Sequence, residues 1–330
     1  MSSAFTRKII ASLRNWKYEI SKGNADHAID KDDPALREKI FDVFHRYYIQ
    51  GHRGNDVVIS DISRIQLDGH PDYVPKMLSR NQPHDEDYVV FRSFQDEEEV
   101  ILDVGANWGY SAGSMWSVGA RSKIVSFEAI PLYQDCLAKI LAVHPEGYSY
   151  LMTALSSRPG VLKFAVPVVN DTALTALTSA NENPHLDSLT ENVYNSVHRW
   201  MSGIKSVTLR ICEFEVPVQT LDSVLASHPE LIPRNGVSVI KLDVEGWEYE
   251  VLKGALDTLR THSPLIMAEG GNRQQELREL MISLDYSYAE RKSDKLELVS
   301  GIGMKNNGFF INNKKMDEYR VKQLLEAASC

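Results

Sequence analysis

The stretch ILDVGANWGY, Ile101 to Tyr110, decides how this chain is read. It begins as a strand that is apolar on both faces apart from Asp103. Gly105 and Gly109 then flank a tight turn, and a helix is expected to follow. A turn of this kind lets a ligand approach the backbone, and the N–H groups of the helix start favour a nucleotide there. The spacing is GxxxG, so the GxGxxG fingerprint of a nicotinamide dinucleotide fold is not met.

Two further stretches narrow the ligand. KIVSFEAIP ends its strand at Glu128, 25 residues beyond Asp103. That is close to the spacing at which a carboxylate accepts hydrogen bonds from ribose hydroxyls, which points to an adenosine-type ligand. IKLDVEGWEYEVLKGA ends another strand in Asp243 and Glu245. Residues two apart in extended chain share a side, so both carboxylates are expected over the same crevice, suited to a cationic ligand or a metal ion. Pairing of one of them with Lys241 or with a loop arginine is the other reading.

From Glu99 onward, strands VILDVGA, KIVSFEA, YSYLMTAL, SVIKLDV and PLIMAEG alternate with helical stretches such as LYQDCLAKILAVH and EYEVLKGALDTLRTH. This alternation predicts an α/β fold with a parallel sheet covered by helices on both faces. YSYAERK and GFFIN are expected to close its edge as an antiparallel hairpin. VLKFAVPV and SVTLRICEFEVPV predict an added β segment, and the long stretch between them an insertion over 170–205 that acts as a lid.

Residues 1–95 are expected to form a helical extension, a dimerisation element or substrate cap, ahead of a catalytic domain over 96–330. DPALREKIFDVFHRYYIQG is its clearest helix, with Pro34 in the first turn and Gly51 beyond the end. At the start, Phe5, Ile9, Leu13, Trp16 and Ile20 form one apolar stripe among basic residues. The stripe predicts a helix docked on its own domain or on a second subunit, giving a homo-oligomer; a helix lying on a membrane surface is the alternative.

Composition excludes other classes. A net charge of -9 speaks against a bulk nucleic-acid binder. No apolar run is long enough to span a bilayer, and the N-terminus lacks a signal-peptide core. Cys136, Cys212 and Cys330 form no CxxC pair and suit reduced thiols, hence a cytoplasmic protein.

DVGANWGY, FEAIP, TALSSRPG, VQTLDSV, IKLDVEGWEYEVLKGA and PLIMAEG occur in the order seen in FkbM-type methyltransferases, class I enzymes that depend on S-adenosylmethionine. The chain resembles that family over roughly residues 99–311. It departs from it at Ser157, where the family more often has an acid. The resemblance implies a Rossmann-like, mostly parallel seven-strand sheet and methyl transfer to oxygen. It also implies that Asp103, Gly105, Asn107 and Gly109 line the methionine end of the cofactor, with Tyr110 closing the same turn. Glu128 would hold the ribose, and Ala129, Thr153 and Ala154 would border the adenine. Asp243 would stand near the sulfonium and the acceptor, with Glu245.

In-line methyl transfer depends mostly on alignment, which is worth about 7–11 kcal/mol. A base must also take the proton of an alcohol acceptor; Asp243 and Glu245 are the candidates by position, and His185 and His198 those from the insertion, with the two carboxylates preferred. No metal is expected, since the spacing of Asp243, Glu269 and Asn272 does not match magnesium-dependent relatives. The acceptor is expected to be a hydroxyl of a small molecule, sugar or natural product. Polar and aromatic residues of the insertion, among them Asp187, Asn192, Tyr194 and His198, are the groups that would contact it. A nucleic-acid methyltransferase is disfavoured because LDVEGW stands where (D/N)PP(Y/F) would be and no cysteine follows a proline. A nucleotide-binding oxidoreductase and a non-catalytic S-adenosylmethionine-binding module are the remaining alternatives.

Overall fold

The computed structural model describes residues 34–59, 65–67, 78, 82–175, 185–200, 207–270, 273–300 and 307–325, without the side chains of 199 and 200. The N-terminal stripe, Asn272 and Cys330 lie outside these residues. The chain divides into two compact units, one from residues 1–70 and 162–215 and the other from 71–161 and 216–330.

The larger unit holds an eight-stranded sheet. Its strands are β1 (Val100–Val104), β2 (Lys123–Glu128), β3 (Tyr148–Met152), β4 (Val237–Leu242), β5 (Leu265–Glu269), β6 (Tyr286–Lys292), β7 (Lys295–Leu298) and β8 (Asn307–Asn312). They lie in the order β3-β2-β1-β4-β5-β8-β6-β7. The first five pair in parallel, whereas β8 is antiparallel to both β5 and β6, and β7 is antiparallel to β6. Successive strands run outward from β1 to β3 on one side and from β4 to β5 on the other. The order therefore reverses between β1 and β4, which is where open α/β sheets place a ligand, outside the carboxyl ends of the strands. Leu221, Val224 and Leu225, Leu259, and Leu277 and Met281, from helices that follow in the chain, join one core cluster with these strands.

The sheet is mixed and has eight strands where seven were expected. YSYAERK and GFFIN do pair antiparallel, but KLEL forms an additional edge strand on YSYAERK across the short turn at Ser293 and Asp294. YSYLMTAL also breaks: β3 ends at Met152, and Ala154–Leu155 pairs instead with Val218–Gln219.

Every residue of β1 is buried, Asp103 included, as expected of a central strand that is otherwise apolar on both faces. Val100, Leu102 and Val104 share one face with Val125 and Phe127 of β2, Ile240 and Leu242 of β4 and Ile266 and Ala268 of β5, all within one core cluster. The opposite face carries a polar row, because Ser126 pairs with Asp103 and Asp103 with Lys241 in register. Burying an apolar side chain contributes roughly 1.5–3 kcal/mol, whereas a buried ion pair is often no better than neutral. Stability alone gives no reason for that row.

Several of the motifs act structurally. Helix α1 (Tyr110–Ser117) follows the glycine turn and α2 (Gln134–Val143) follows β2. Thr220 caps helix α3 (Leu221–Ser227) by accepting from Ser223 N. Asp222 accepts from the backbone N–H groups of Asp257 and Thr258, at the start of a helix over Leu256–His262, and from the Thr258 hydroxyl. Gly254 passes so close to the chain that an added Cβ would stand 2.1 Å from the Ser156 carbonyl oxygen. The TALSS, VQTLDSV and VLKGA segments thus meet. Asp222→Ala is expected to cost about 1–2 kcal/mol by loss of that cap. Thermal unfolding should shift down by a few degrees, and an unchanged melting curve would remove the capping account.

In the smaller unit, helix Pro34–Phe44 continues as a wider π-helical segment to Ile49, and Gly51 follows in the left-handed region with φ 66. Leu36, Ile40, Val43 and Phe44 pack with Leu189, Val193, Tyr194 and Val197 of helix Leu186–Trp200, and with Leu209 and Ile211. The short strand Val58–Ile59 pairs in parallel with Ile211–Cys212. The division therefore does not fall at residue 95. Tyr88, Val90, Phe91 and Phe94 are buried in the larger unit, while the helix of the 170–205 insertion needs the N-terminal helix to cover its apolar side.

Candidate functional site

The carboxyl ends of four adjacent strands bring most of the expected residues together. Gly105 to Gly109 follow β1, Glu128 and Ala129 end β2, Thr153 follows β3, and Asp243 follows β4. The β2–β3 register sets Glu128 opposite Met152, so Thr153 stands next along the edge.

The glycine turn is built by contacts within the larger unit. Gly105 has φ 79, and a Cβ there would lie 1.9 Å from the carbonyl oxygen of Asp243. Only glycine lets the β1 and β4 turns meet this closely. Gly109 has φ 84 and faces Ile140, and Asn107 is also left-handed, with φ 53. The turn's donors are already used. Gly105 N and Ala106 N donate to the Phe127 carbonyl, Gly109 N to the Ala106 carbonyl, Asn107 N to Glu128 Oε2 and Trp108 N to Asn107 Oδ1. The N–H groups of residues 105–109 are therefore taken, because the turn closes on itself and on β2. A pyrophosphate would have to break these bonds, whereas an uncharged ribose and a cationic sulfonium would not.

Glu128 is buried and accepts from Asn107 N at 2.7 Å and Ile130 N at 2.8 Å, so it ties the β1 turn to the β2 turn. Each carboxylate oxygen has a second lone pair, which leaves capacity for hydroxyl donors. Burial pushes its carboxyl up to about 7, against the opposing effect of the backbone N–H groups. Tyr110 begins α1 with its ring 5.4 Å from His84, and Trp108 lies 5.7 Å from Tyr133. Thr153 and Ala154 are buried, with the Thr153 hydroxyl donating to the Pro217 carbonyl at 3.3 Å.

Asp103 lies deeper than expected. It is fully buried, accepts from Ser111 and Ser126 hydroxyls at 2.6 and 2.9 Å, and forms an ion pair with Lys241 at 3.3 Å. Lys241 Nζ also donates to the Gly105 carbonyl at 3.2 Å and stands 3.7 Å from Asp243 Oδ2. Burial alone would depress the Lys241 ammonium, but Tyr88, Asp103 and Asp243 around it outweigh that and raise it above the ordinary lysine range. The sequence signal for this pair is one charge of each sign in two otherwise uncharged strands.

The extended-chain argument for Asp243 and Glu245 does not hold. The strand ends at Leu242, and Glu245 is exposed in a left-handed turn with φ 53, followed by Gly246 with φ 100. Asp243 keeps a half-exposed side chain beside Lys241. The turn is held instead by buried Glu248, which accepts from Val244 N and Gly246 N at 3.2 Å. Ser157, at the position where the family more often has an acid, donates to Glu250, and Glu250 pairs with Arg273 at 2.6 Å.

His185 belongs to the smaller unit, exposed just before helix Leu186–Trp200 and 3.3 Å from Ser188 Oγ. Tyr194, expected among the acceptor contacts, is buried with Arg37 4.0 Å over its ring. A concavity of about 500 Å³ along helix Pro34–Phe44 is lined by Ala35, Glu38, Lys39, Phe41, Asp42 and His45 and contains none of the expected site residues. Among the described residues, no group of three His, Cys, Asp or Glu side chains converges closely enough to hold a metal ion. Cys136 and Cys212 are buried free thiols. Among the described residues, no helix is long and apolar enough to cross a membrane.

Comparison with known proteins identifies the family. A family model for the methyltransferase FkbM domain matches residues 103–288. Methyltransferase sdnD of Sordaria araneosa is 28% identical over 160 residues, covering 47% of this chain and 59% of that protein. Among solved structures, methyltransferase FkbM from Methylobacillus flagellatus KT is 14% identical, covers 73% of this chain and 50% of its own, and superposes with a TM-score of 0.38. An O-methyltransferase from Bacillus cereus, solved in complex with SAH, is 11% identical over 94% of this chain and 100% of its own, with a TM-score of 0.31. The chain thus spans between half and three-fifths of the first two relatives, and the fold rests on its own strand order rather than on these superpositions. The matched segment opens at Asp103, takes in every strand end described above and extends over more than half of the chain, which belongs to the FkbM family of S-adenosylmethionine-dependent methyltransferases.

Proposed function

We propose that this chain transfers the methyl group of S-adenosylmethionine to a hydroxyl of a small molecule, sugar or natural-product acceptor. The observation that carries the reading is the closure of the β1 turn against the β4 turn, with Glu128 at the next strand end and no backbone donor of residues 105–109 left for a phosphate. The same closure tells against a dinucleotide oxidoreductase. When bound, S-adenosylmethionine supplies a methyl group activated by a sulfonium. The chain's own residues do the rest. Glu128 would accept the ribose hydroxyls, Gly105, Asn107, Gly109 and Tyr110 would shape the methionine end, and Ala129, Thr153 and Ala154 would border the adenine.

Asp243 is the favoured base, taking the acceptor's hydroxyl proton on a carboxylate oxygen, because Lys241 fixes its side chain at the strand end. Glu245 and His185 are the other two candidates. We assign the smaller unit to acceptor capture or self-association, and the buried free thiols fit a reducing compartment such as the cytoplasm.

Calorimetry with S-adenosylmethionine, its homocysteine product and NAD should show binding of the first two. Labelled S-adenosylmethionine incubated with cell extract should then mark the acceptor, identified by mass. Binding of NAD alone would overturn the assignment. With the acceptor in hand, Asp243→Asn should lower kcat/KM about tenfold, as for loss of one charge-assisted contact. Glu245→Gln and His185→Gln should lower it less, and the reverse order would move the base.

A further inference from the structure

Lys241 presents a puzzle for a site that takes a cation. Its ammonium donates to the carbonyl of Gly105, the residue that starts the turn, and S-adenosylmethionine carries a sulfonium. An uncompensated ammonium beneath that turn would repel the donor more than the demethylated product, whose sulfur is neutral. Coulomb interactions of this range are weakly screened where the groups are buried. Two carboxylates face it, half-exposed Asp243 at 3.7 Å and, on the side away from solvent, Asp103. Asp103 is fully buried, faces Lys241 at 3.3 Å and is held in that orientation by the hydroxyls of Ser111 and Ser126.

Resting on the cofactor assignment above, we propose that Asp103 is a selectivity residue that acts through Lys241. It neutralises the ammonium beneath the glycine turn and so lets the site favour the charged donor over the neutral product. It needs no contact with the cofactor to do so, and its complete burial fits that role better than the direct contact expected from the family resemblance. Lys241 is then a positioning residue that joins the two turns through the Gly105 carbonyl, and Asp103 adds to Asp243 the second carboxylate that offsets its charge. The cost of a buried ion pair, otherwise unexplained in an apolar sheet, acquires a function.

The test is the ratio of affinities for S-adenosylmethionine and S-adenosylhomocysteine, measured by calorimetry on the full chain. Asp103→Asn keeps the shape and an acceptor for both serines but removes one negative charge. The ratio should fall about tenfold toward the product, the order of one charge contact. The double variant Asp103→Asn/Lys241→Met removes both charges and should return the ratio to within about threefold of the wild type. A direct contact between Asp103 and the donor, or a purely structural role, predicts that the double variant is no better than the single one. Either result would overturn the proposal. If Asp103→Asn fails to fold, Lys241→Met takes its place: removing the ammonium while Asp103 stays should move the ratio about tenfold toward the charged donor, and an unmoved ratio would overturn the proposal. A wild-type chain that binds neither ligand would overturn the cofactor assignment itself, and the inference with it. Ligand binding with an unmoved ratio in Asp103→Asn would overturn the inference alone.

Discussion

Gly105→Ala is expected to abolish cofactor binding and to destabilise the larger unit by about 3–5 kcal/mol, the range reserved for a few named mechanisms of damage. Two of those mechanisms coincide at this residue. It has φ 79, a region that L side chains rarely adopt, and its Cβ would stand 1.9 Å from the carbonyl oxygen of Asp243. The obstruction is main chain of a neighbouring strand end and cannot rotate away. Relief requires the β1 and β4 turns to separate, which also pulls the Gly105 carbonyl off Lys241 and the Gly105 N–H off Phe127. Thermal unfolding should fall by roughly 10 °C. Calorimetry with S-adenosylhomocysteine should give no heat of binding.

Gly109→Ala is the control that separates strain from closure. Its φ of 84 is just as unfavourable, but the atom in the way is Ile140 Cδ1, the end of a side chain that can change rotamer. A cost of about 1–2 kcal/mol and a binding loss below tenfold are expected. Equal damage at the two glycines would mean that backbone conformation, and not the meeting of the turns, sets the effect. Wild-type affinity in Gly105→Ala would mean that closure of the β1 turn on the β4 turn does not build the cofactor site.

What the sequence disclosed follows from which interactions are local. The strands from Val100 to Glu269 were legible because interior parallel strands are apolar on both faces, and Gly105, Glu128 and Asp243 were legible because each ends such a run. Sequence reasoning fails where a short-range rule is carried past the end of its element. Asp243 and Glu245 would share a side only if β4 continued, but the chain turns at Leu242 and Glu245 becomes left-handed. It fails again where partners come from far along the chain. Nothing near Asp103 announces that Lys241 is its cross-strand neighbour, since register is set by the packing of whole strands. The insertion helix reads as a lid because its polar residues stand out in sequence. Its apolar side, with Val193, Tyr194 and Val197, is what fixes its place, against a helix that precedes the whole sheet.

Folding and binding are expected to respond to pH in opposite directions through Glu128. Its carboxyl moves from an ordinary value of 4.5 to about 7 in the folded chain, chiefly because burial disfavours the charged form. Between those values the folded state binds a proton that the unfolded state has lost. The stabilising contribution is therefore fully present below about pH 4.5 and is lost as pH rises through about 7, a change of about 3 kcal/mol. Binding has the opposite sign. Only the ionised carboxylate can accept from Asn107 N and Ile130 N and still offer lone pairs on both oxygens to ribose hydroxyls. Affinity for S-adenosylhomocysteine should rise about thirtyfold from pH 5.5 to pH 8, following the ionised fraction of a group with this pKa. Using the neutral-sulfur product keeps the sulfonium charge out of the comparison. Glu128→Gln should flatten both curves, with affinity fixed near its acidic value; because its amide nitrogen cannot accept from one of the two backbone N–H groups, the loss of pH dependence and not the absolute stability is the readout. Parallel pH trends, or a glutamine variant that keeps the wild-type affinity profile, would show that Glu128 is a fastener of the turn and not a ligand for the ribose. The opposition is what ties the two roles together, since the protonated form that suits the fold is the form that cannot hold the cofactor.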